Sequence, residues 1–150
     1  MRITDVSSPP RTAARFVLPL ALALVIASCA DTTIPREPRT TDPVVGVASR
    51  GVLGDVITAD GMTVYVYTRD RPDESVCYEI CAMDWPPLLV TRSPTLAAAL
   101  PGRLGSLVRT DGAKQLTYDH RPLYLYIEDA PRTDQANGQD VDHEWFVVHP

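Results

Sequence analysis

The stretch Tyr65-Val66-Tyr67-Thr68-Arg69-Asp70 decides how this chain is built, because its pattern returns later in the chain as Tyr124-Leu125-Tyr126-Ile127-Glu128-Asp129. Both copies read Tyr-x-Tyr-x-x-Asp. The match extends outwards: Thr58 and Asp60 correspond to Thr117 and Asp119 at the same offset, and Trp85 corresponds to Trp145 at an offset one position longer. A fixed offset indicates one supersecondary unit used twice. The sequence therefore predicts a duplication, with repeats at about positions 50–90 and 107–150.

Short β-prone segments separated by turn dipeptides surround both copies of the motif. Strand-forming residues flank the turn signals Asp60-Gly61, Asp111-Gly112 and Asp119-His120. Residues 145–148 read as a last strand, and Pro94 to Leu100 as one short helix capped by Ser93. This pattern predicts an all-β fold, a small sandwich or barrel built from two repeated hairpin units with at most one short helix.

The paired tyrosines stand at positions i and i+2, so each pair shares one face of a strand, while Val66 and Leu125 face the other way. With Trp85 and Trp145 they could form an aromatic platform for a ligand. Packing in the core is the simpler interpretation, with the phenolic hydroxyls bonded to polar partners. We expect Asp70 and Asp129 to close turns with their carboxylates.

The N-terminal residues have the pattern of an export signal. Arg2, Arg11 and Arg15 precede an apolar run, Phe16 to Ile26, that is too short to span a bilayer. Ile26-Ala27-Ser28-Cys29 then resembles a bacterial lipoprotein signal, in which the chain is cut before a cysteine that becomes lipid-modified. An ordinary signal peptide that happens to contain a cysteine is the alternative. We predict a signal peptide at 1–28, lipidation of Cys29, a proline-rich stalk at 29–46 and a duplicated β domain at 47–150.

The charge of the mature chain excludes one class of partner. Removing residues 1–28 takes three arginines and one aspartate from 14 basic and 19 acidic side chains, which leaves 11 and 18 and a net charge of −7. Such a chain is not suited to nucleic acid, whose binding depends on basic side chains that release counterions. It also has no polybasic segment for anionic lipid.

Cys77 and Cys81 are the two cysteines of the mature domain. Outside the cytoplasm the default for such a pair is a disulfide. Two other interpretations stay open: a cuprous-ion site in which Met83 or a histidine completes the thiolate ligands, and a redox-active pair. Glu79 and Asp84 oppose the depressed thiolate pKa that redox activity needs.

Other residues give no pattern for a reaction or a metal site. The histidines, His120, His143 and His149, lack the spacing of a zinc-protease motif. The segment 134–142 is acidic, but its Asn137-Gly138 does not fall where a calcium loop requires it. We therefore predict no catalytic residue, no metal and no cofactor.

Several motifs in order resemble the bacterial secreted-repeat lipoproteins of unknown function, which carry Tyr-x-(Phe/Trp/Tyr)-x-x-Asp. The matching segments, beside the two motif copies, are Gly61-Met62-Thr63-Val64-Tyr65, Cys77-x-x-x-Cys81-x-x-x-Trp85-Pro86-Pro87, Asp111-Gly112, Arg121-Pro122-Leu123-Tyr124 and Trp145. The resemblance covers roughly positions 50–150. The chain departs from it at Glu79, His120 and Asp140, where glycine is common, which affects loop geometry. The resemblance implies location and fold but no reaction.

Together these features predict a lipid-anchored lipoprotein of the cell envelope, at the cell membrane or outer envelope and facing outside the cytoplasm. We expect a non-enzymatic binding or scaffolding module. Its partners are the membrane, through lipid on Cys29, and an envelope protein or small ligand that the sequence does not identify. The alternative is a thiol-based redox or copper-handling envelope protein that uses Cys77 and Cys81.

Overall fold

The computed structural model describes residues 42–97 and 99–150, so the predicted signal peptide, Cys29 and most of the predicted stalk lie outside the described residues. The elements in chain order are β1 (Val44–Ser49), β2 (Asp55–Ala59), β3 (Met62–Thr63), β4 (Tyr65–Tyr67), α1 (Ile80–Asp84), β5 (Thr95–Leu96), β6 (Leu104–Val108), β7 (Lys114–Tyr118), β8 (Arg121–Pro122) and β9 (Trp145–Val147), with single 3-10 turns at Gly51–Leu53 and Val141–His143. None of the helices in this described part is long and apolar enough to cross a membrane.

The duplication is visible in the register of the strands. In the first hairpin β1 pairs antiparallel with β2, and Val45 lies opposite Ala59. In the second, β6 pairs with β7, and Leu104 lies opposite Tyr118. Every pair of the second hairpin follows its counterpart in the first at the offset that separates the two motif copies. The predicted duplication is therefore present as two copies of one hairpin.

The turns that follow these hairpins use the predicted dipeptides. Asp60 and Gly61 have φ values of 52° and 84°, and Asp119 and His120 have values of 46° and 66°. Positive φ at both central residues is typical of the tight two-residue turn that matches the twist of paired strands. The turns lead into β3 and β8, which pair back onto β2 and β7.

The two halves then pair with each other reciprocally. Tyr65 N–H donates to the Tyr124 carbonyl and Tyr124 N–H donates to the Tyr65 carbonyl, both at 2.9 Å. β4 pairs with β9 from the other end of the chain, and Pro87 forms the corresponding bridge with Tyr124. Neither half therefore completes its own sheet hydrogen bonds without the other.

Strand alternation separates two apolar clusters. The first, on the side of Val66 and Leu125, contains Val45, Ile57, Val64, Leu88, Leu116 and Leu123. The second contains the motif tyrosines, both tryptophans and Cys77. The opposite orientation of tyrosines and aliphatic residues along the motif, expected from the period of two, is confirmed.

Two sequence predictions need correction. The sequence predicts a helix from Pro94 to Leu100, but Thr95–Leu96 is strand β5, which runs parallel to β1, and Ala98 lies outside the described residues. Pairing with an open sheet edge outweighs the helix propensity of so short a segment. The predicted stalk extends to residue 46, whereas β1 begins at Val44.

The predicted fold class is confirmed as a small all-β fold with two repeat units. Its strands form three sheets, ordered β3-β2-β1-β5, β4-β9 and β6-β7-β8, which do not close into a barrel. The one short α-helix of the described residues is α1, which lies within the first repeat.

Candidate functional site

The tyrosine and aspartate of each motif copy bond across the duplication. The Tyr65 hydroxyl donates to Asp129 Oδ2 at 2.5 Å. The Tyr124 hydroxyl donates to Asp70 Oδ2 at 2.6 Å. Both tyrosines are fully buried. The two motif copies therefore interact reciprocally: the tyrosine of each copy donates a hydrogen bond to the aspartate of the other.

The other oxygen of each carboxylate holds a loop. Asp70 Oδ1 accepts from Val76 N–H at 2.8 Å, and Asp129 Oδ1 accepts from Asn137 N–H at 2.9 Å. The prediction that these aspartates organise turns captured this half of their role. Their partnership with the distant tyrosine was missed, because nothing local in the sequence indicates it.

Burial is the main cause of the pKa shifts of these motif tyrosines and of Asp70. Desolvation first, and then the bonded Asp129 carboxylate, raises the pKa of Tyr65 well above its usual value. Desolvation and Asp70 raise the pKa of Tyr124 in the same way. Desolvation likewise raises the pKa of Asp70, although its hydrogen bonds oppose the shift. Both phenols consequently stay protonated and act as donors at neutral pH.

The aromatic residues of the two repeats form one stacked column. The Trp85 and Trp145 rings stack with centroids 3.9 Å apart and planes 1° apart. Tyr67 stacks on Trp145 and Tyr126 on Trp85, each at 4.2 Å. The tryptophans are 5% and 3% exposed, so the column is closed to a ligand at its centre. The structure thus agrees with the interpretation that these aromatic residues pack in the core, and not with an open platform for a ligand.

Two buried arginines, Arg50 and Arg109, were not singled out from the sequence. They occupy equivalent positions of the two repeats and are 7% and 4% exposed. Arg50 donates to Thr63 Oγ1 at 2.8 Å and to the Gly61 carbonyl at 3.0 Å. The shared offset was the available signal, but arginine is a residue that usually lies at the surface.

Arg109 has the richer set of partners. Its guanidinium donates to Gln115 Oε1 at 2.6 Å, to the Cys77 carbonyl at 2.7 Å and to Ser75 Oγ at 2.9 Å. Ser75 Oγ lies 2.7 Å from the Tyr124 hydroxyl. A chain of hydrogen bonds thus runs from Arg109 through Ser75 and Tyr124 to Asp70.

Cys77 and Cys81 form a disulfide, with Cα atoms 5.2 Å apart. Cys77 is fully buried against the aromatic cluster, whereas the Met83 side chain, proposed as a third copper ligand, is 61% exposed. No group of three or more His, Cys, Asp or Glu side chains that could hold a metal occurs in the described residues. The cysteines therefore have the arrangement of a structural cross-link.

The remaining sequence candidates lie at the surface or in turns. His120 contacts Asp73 at 2.6 Å and His143 contacts Asp140 at 3.0 Å, all with exposed side chains. In the acidic segment 134–142, Gly138 is buried, and a Cβ there would lie 2.7 Å from the Trp85 ring. The glycine of that loop is explained by packing against Trp85.

The three departures from glycine share a backbone feature. Glu79, His120 and Asp140 have φ values of 50°, 66° and 63°. This is the left-handed region, which glycine adopts without steric cost. At these three positions the chain therefore adopts a backbone conformation that favours glycine with a larger residue in place.

The geometry defines a class of protein: an internally duplicated β module whose repeated motif residues are the hydrogen-bonding and stacking partners that join its halves. Comparison with known families agrees. A family described as a secreted repeat of unknown function matches this chain twice, over residues 52–89 and 105–149. Because the matches cover more than half of the chain, the protein belongs to this family of secreted repeats.

Membership confirms the resemblance stated from the sequence, and it implies an extracellular or envelope location. Comparisons with curated proteins and with solved structures find no match.

Proposed function

We propose that this protein is a non-enzymatic module of the cell envelope, held at the membrane by lipid on Cys29, which acts by binding a partner. The observation that carries the proposal is the internal use of the motif chemistry. The hydroxyls of Tyr65 and Tyr124 form hydrogen bonds with the two motif carboxylates. The buried guanidinium of Arg109 donates a hydrogen bond to the Cys77 carbonyl. These buried polar groups, which could otherwise take part in a reaction, thus stabilise the fold. This supports a function that uses the surface of the protein.

The anchor rests on the sequence alone. Cys29 follows the apolar run at 16–26 and precedes a segment containing Pro35, Pro38 and Pro43. Each buried methylene of an acyl chain contributes about 0.8 kcal/mol, so several chains give a stable anchor where a single one is marginal. Extended proline-rich residues at roughly 3 Å each would hold the β domain up to about 40 Å from the bilayer.

The disulfide supports the binding module over the copper-handling alternative. Cuprous ion binds thiolates, and the sulfur atoms of Cys77 and Cys81 are bonded to each other. Glu79 lies between them in the chain, and a nearby carboxylate opposes the formation of a reactive thiolate.

Fractionation of cells tests the anchor. We expect the wild-type protein in the membrane fraction, with an intact mass that includes acyl chains on Cys29. The Cys29→Ser variant should leave the membrane or accumulate uncleaved. A Cys29→Ser protein that is cut normally and still sediments with membranes contradicts the lipoprotein half of the proposal.

Photo-crosslinking in intact cells tests the binding half. A photoreactive residue is placed singly at exposed apolar positions, namely Val52, Val76, Val108 and Ile127. We expect one defined adduct from some positions and none from others, since a partner covers one part of the surface. Equal, diffuse labelling from all four positions contradicts a specific partner. Stoichiometric copper on the reduced protein, lost in Cys77→Ser, would favour the alternative function.

A further inference from the structure

The two repeats differ at the outer edge of the first strand of each hairpin. At β1 this edge is covered by β5, whose Thr95 N–H donates to the Pro43 carbonyl at 3.2 Å; beside it, Ala97 N–H donates to the Val45 carbonyl at 2.7 Å. At β6, the equivalent strand, no strand of the described residues pairs with the outer edge. Within residues 42–97 and 99–150, the first copy therefore has a covering strand and the second has none.

The identical register identifies the backbone groups at the open edge. Val45 presents its carbonyl to the covering segment, so Leu104, its equivalent in the second hairpin, presents its carbonyl outwards. Backbone groups in an antiparallel ladder alternate in direction, so those of Ser106 point outwards as well. The run Leu104 to Val108 contains no charged residue and no proline. Charged residues and prolines are the usual means by which proteins protect an open edge from pairing.

A groove lies beside this open edge. Its volume is about 260 Å³, and it runs between Leu104–Ser106 and the segment Arg92–Leu96, with Val90 and Leu116 among its apolar lining. The volume is below the roughly 300–1,000 Å³ of sites for drug-sized ligands. Such a groove suits one or two side chains of an extended peptide, which is how strand addition combines backbone affinity with side-chain specificity.

The groove also carries a charge. Arg92 lines it, and the guanidinium of Arg92 forms no hydrogen bond or ion pair with another described residue. The Asp42 carboxylate accepts the backbone N–H groups of Thr91 and Arg92, and the charge of Arg92 contributes, behind these bonds, to lowering the pKa of Asp42. Because Arg92 is exposed and lines the groove, its guanidinium favours an acidic side chain in the occupant.

We infer that the β6 edge and its groove bind an extended, apolar and acidic segment of a partner protein, which adds to the sheet as a strand parallel to β6. This inference rests on the proposed function, since it names the surface through which the module binds. By analogy with β5, N–H groups of the partner donate to the carbonyls of Gly102 and Leu104. Apolar side chains of the partner enter the groove, and an acidic one pairs with Arg92.

Peptide selection on the full secreted chain tests the inference. The probe is a phage-displayed library of random decapeptides, followed by titration of the enriched sequences as synthetic peptides. We expect sequences that combine apolar residues with Asp or Glu. Ser106→Pro should weaken their binding by about tenfold or more, because proline removes the outward N–H of Ser106, the next donor along the edge for a partner carbonyl, and its ring obstructs the added strand. Arg92→Gln should weaken the binding of acidic peptides and leave the binding of their neutral variants unchanged.

Two controls match the proline variant. Ser106→Ala keeps the backbone donor and should bind normally. Val47→Pro introduces the same proline at the equivalent position of β1, away from the groove, and should also bind normally. Both prolines replace an outward N–H group, so circular dichroism should show folded proteins.

Four outcomes would overturn the inference. The first is that no peptide is enriched, and the second is that the enriched peptides bind Ser106→Pro as well as wild type. The third is a dimer that Ser106→Pro dissociates, which would make a second copy the occupant. The fourth is slow hydrogen exchange at Leu104 and Ser106 in the peptide-free monomer, which would mean that the chain covers its own edge. The lipid anchor is tested separately by fractionation of the Cys29→Ser variant. Failure of the anchor can therefore be distinguished from failure of peptide binding at the β6 edge.

Discussion

At the scale of single residues, each shared position within the two copies of Tyr-x-Tyr-x-x-Asp makes a different contact. The first tyrosine reaches the other copy's aspartate, the second stacks on a tryptophan, and the aspartate also holds a loop. Because a buried carboxylate without a partner is costly, the tyrosine and aspartate depend on each other. The motif is thus explained by satisfaction of buried polar groups.

Removing one hydroxyl tests this dependence. Tyr65→Phe leaves the Asp129 carboxylate without its buried donor, so we expect a loss of about 1–3 kcal/mol in the free energy of unfolding. Urea denaturation measures it, and Tyr124→Phe should lose a similar amount because its bond to Asp70 is equivalent. In a double-mutant cycle, Asp129→Asn should cost less in the Tyr65→Phe background than in wild type. Additive losses would show that the bond does not couple the two residues.

The raised tyrosine pKa values predict loss of stability at high pH. Tyr65 and Tyr124 have folded-state pKa values above the ordinary value near 10, so their contribution is complete below pH 10 and is lost as the pH rises through the folded values. Each should lower the free energy of unfolding by about 1.4 kcal/mol per pH unit above 10. Urea midpoints between about pH 9 and 11 measure the slope. The Tyr65→Phe/Tyr124→Phe double variant should have a clearly shallower slope, and an unchanged slope contradicts the assignment.

At the scale of elements, the loop closed by Cys77 and Cys81 is held from three sides. The disulfide joins its ends, Arg109 binds the Cys77 carbonyl, and Trp85 N–H donates to the Cys81 carbonyl at 2.9 Å. Between the cysteines, Glu79 takes a φ of 50° and a ψ of −118°, a conformation that favours glycine. These contacts determine the backbone of the loop, so the side chain of Glu79 contributes strain.

Glu79→Gly should therefore stabilise the protein. Relief of an unfavourable backbone conformation is expected to raise the free energy of unfolding by about 1 kcal/mol, measured as a higher thermal midpoint. The matched control is Glu128→Gly, at an exposed position with an ordinary φ. There glycine should lower stability by up to about 1 kcal/mol, because it adds only freedom to the unfolded chain. A destabilised Glu79→Gly protein contradicts the strain at this position.

Elements specified by local chemistry could be predicted from the sequence. The turns at Asp60-Gly61 and Asp119-His120 depend on residues that accept positive φ, and both were predicted correctly. The segment of β5 reads as a helix in the sequence, because its strand conformation depends on carbonyls of Pro43 and Val45, which are distant in the chain. The exchange of tyrosine and aspartate between repeats is non-local in the same way. What the sequence did not specify was thus pairing over long distances.

At the scale of the whole molecule, the duplication makes the halves interdependent. Sheet hydrogen bonds cross between them, as in Ile57 N–H to the Val148 carbonyl at 2.7 Å and Leu116 N–H to the Leu88 carbonyl at 2.8 Å. A hairpin alone is at best marginally stable in water. The aromatic column adds a stack in which Trp85 of the first repeat faces Trp145 of the second. The repeats therefore form a single folding unit.

The tryptophan pair tests this conclusion. Trp145→Ala removes a buried ring that contacts Tyr67, Trp85 and Tyr124, so we expect a loss of about 3–5 kcal/mol in the free energy of unfolding. The loss should destabilise the first repeat equally, because its Trp85 loses its stacking partner. Calorimetry should show one transition at a lower temperature, and hydrogen exchange should speed up in β2 as well as in β7. Trp85→Ala should behave alike, and Trp145→Phe should lose less. Two separate transitions, or wild-type stability in Trp145→Ala, would mean that the repeats fold independently.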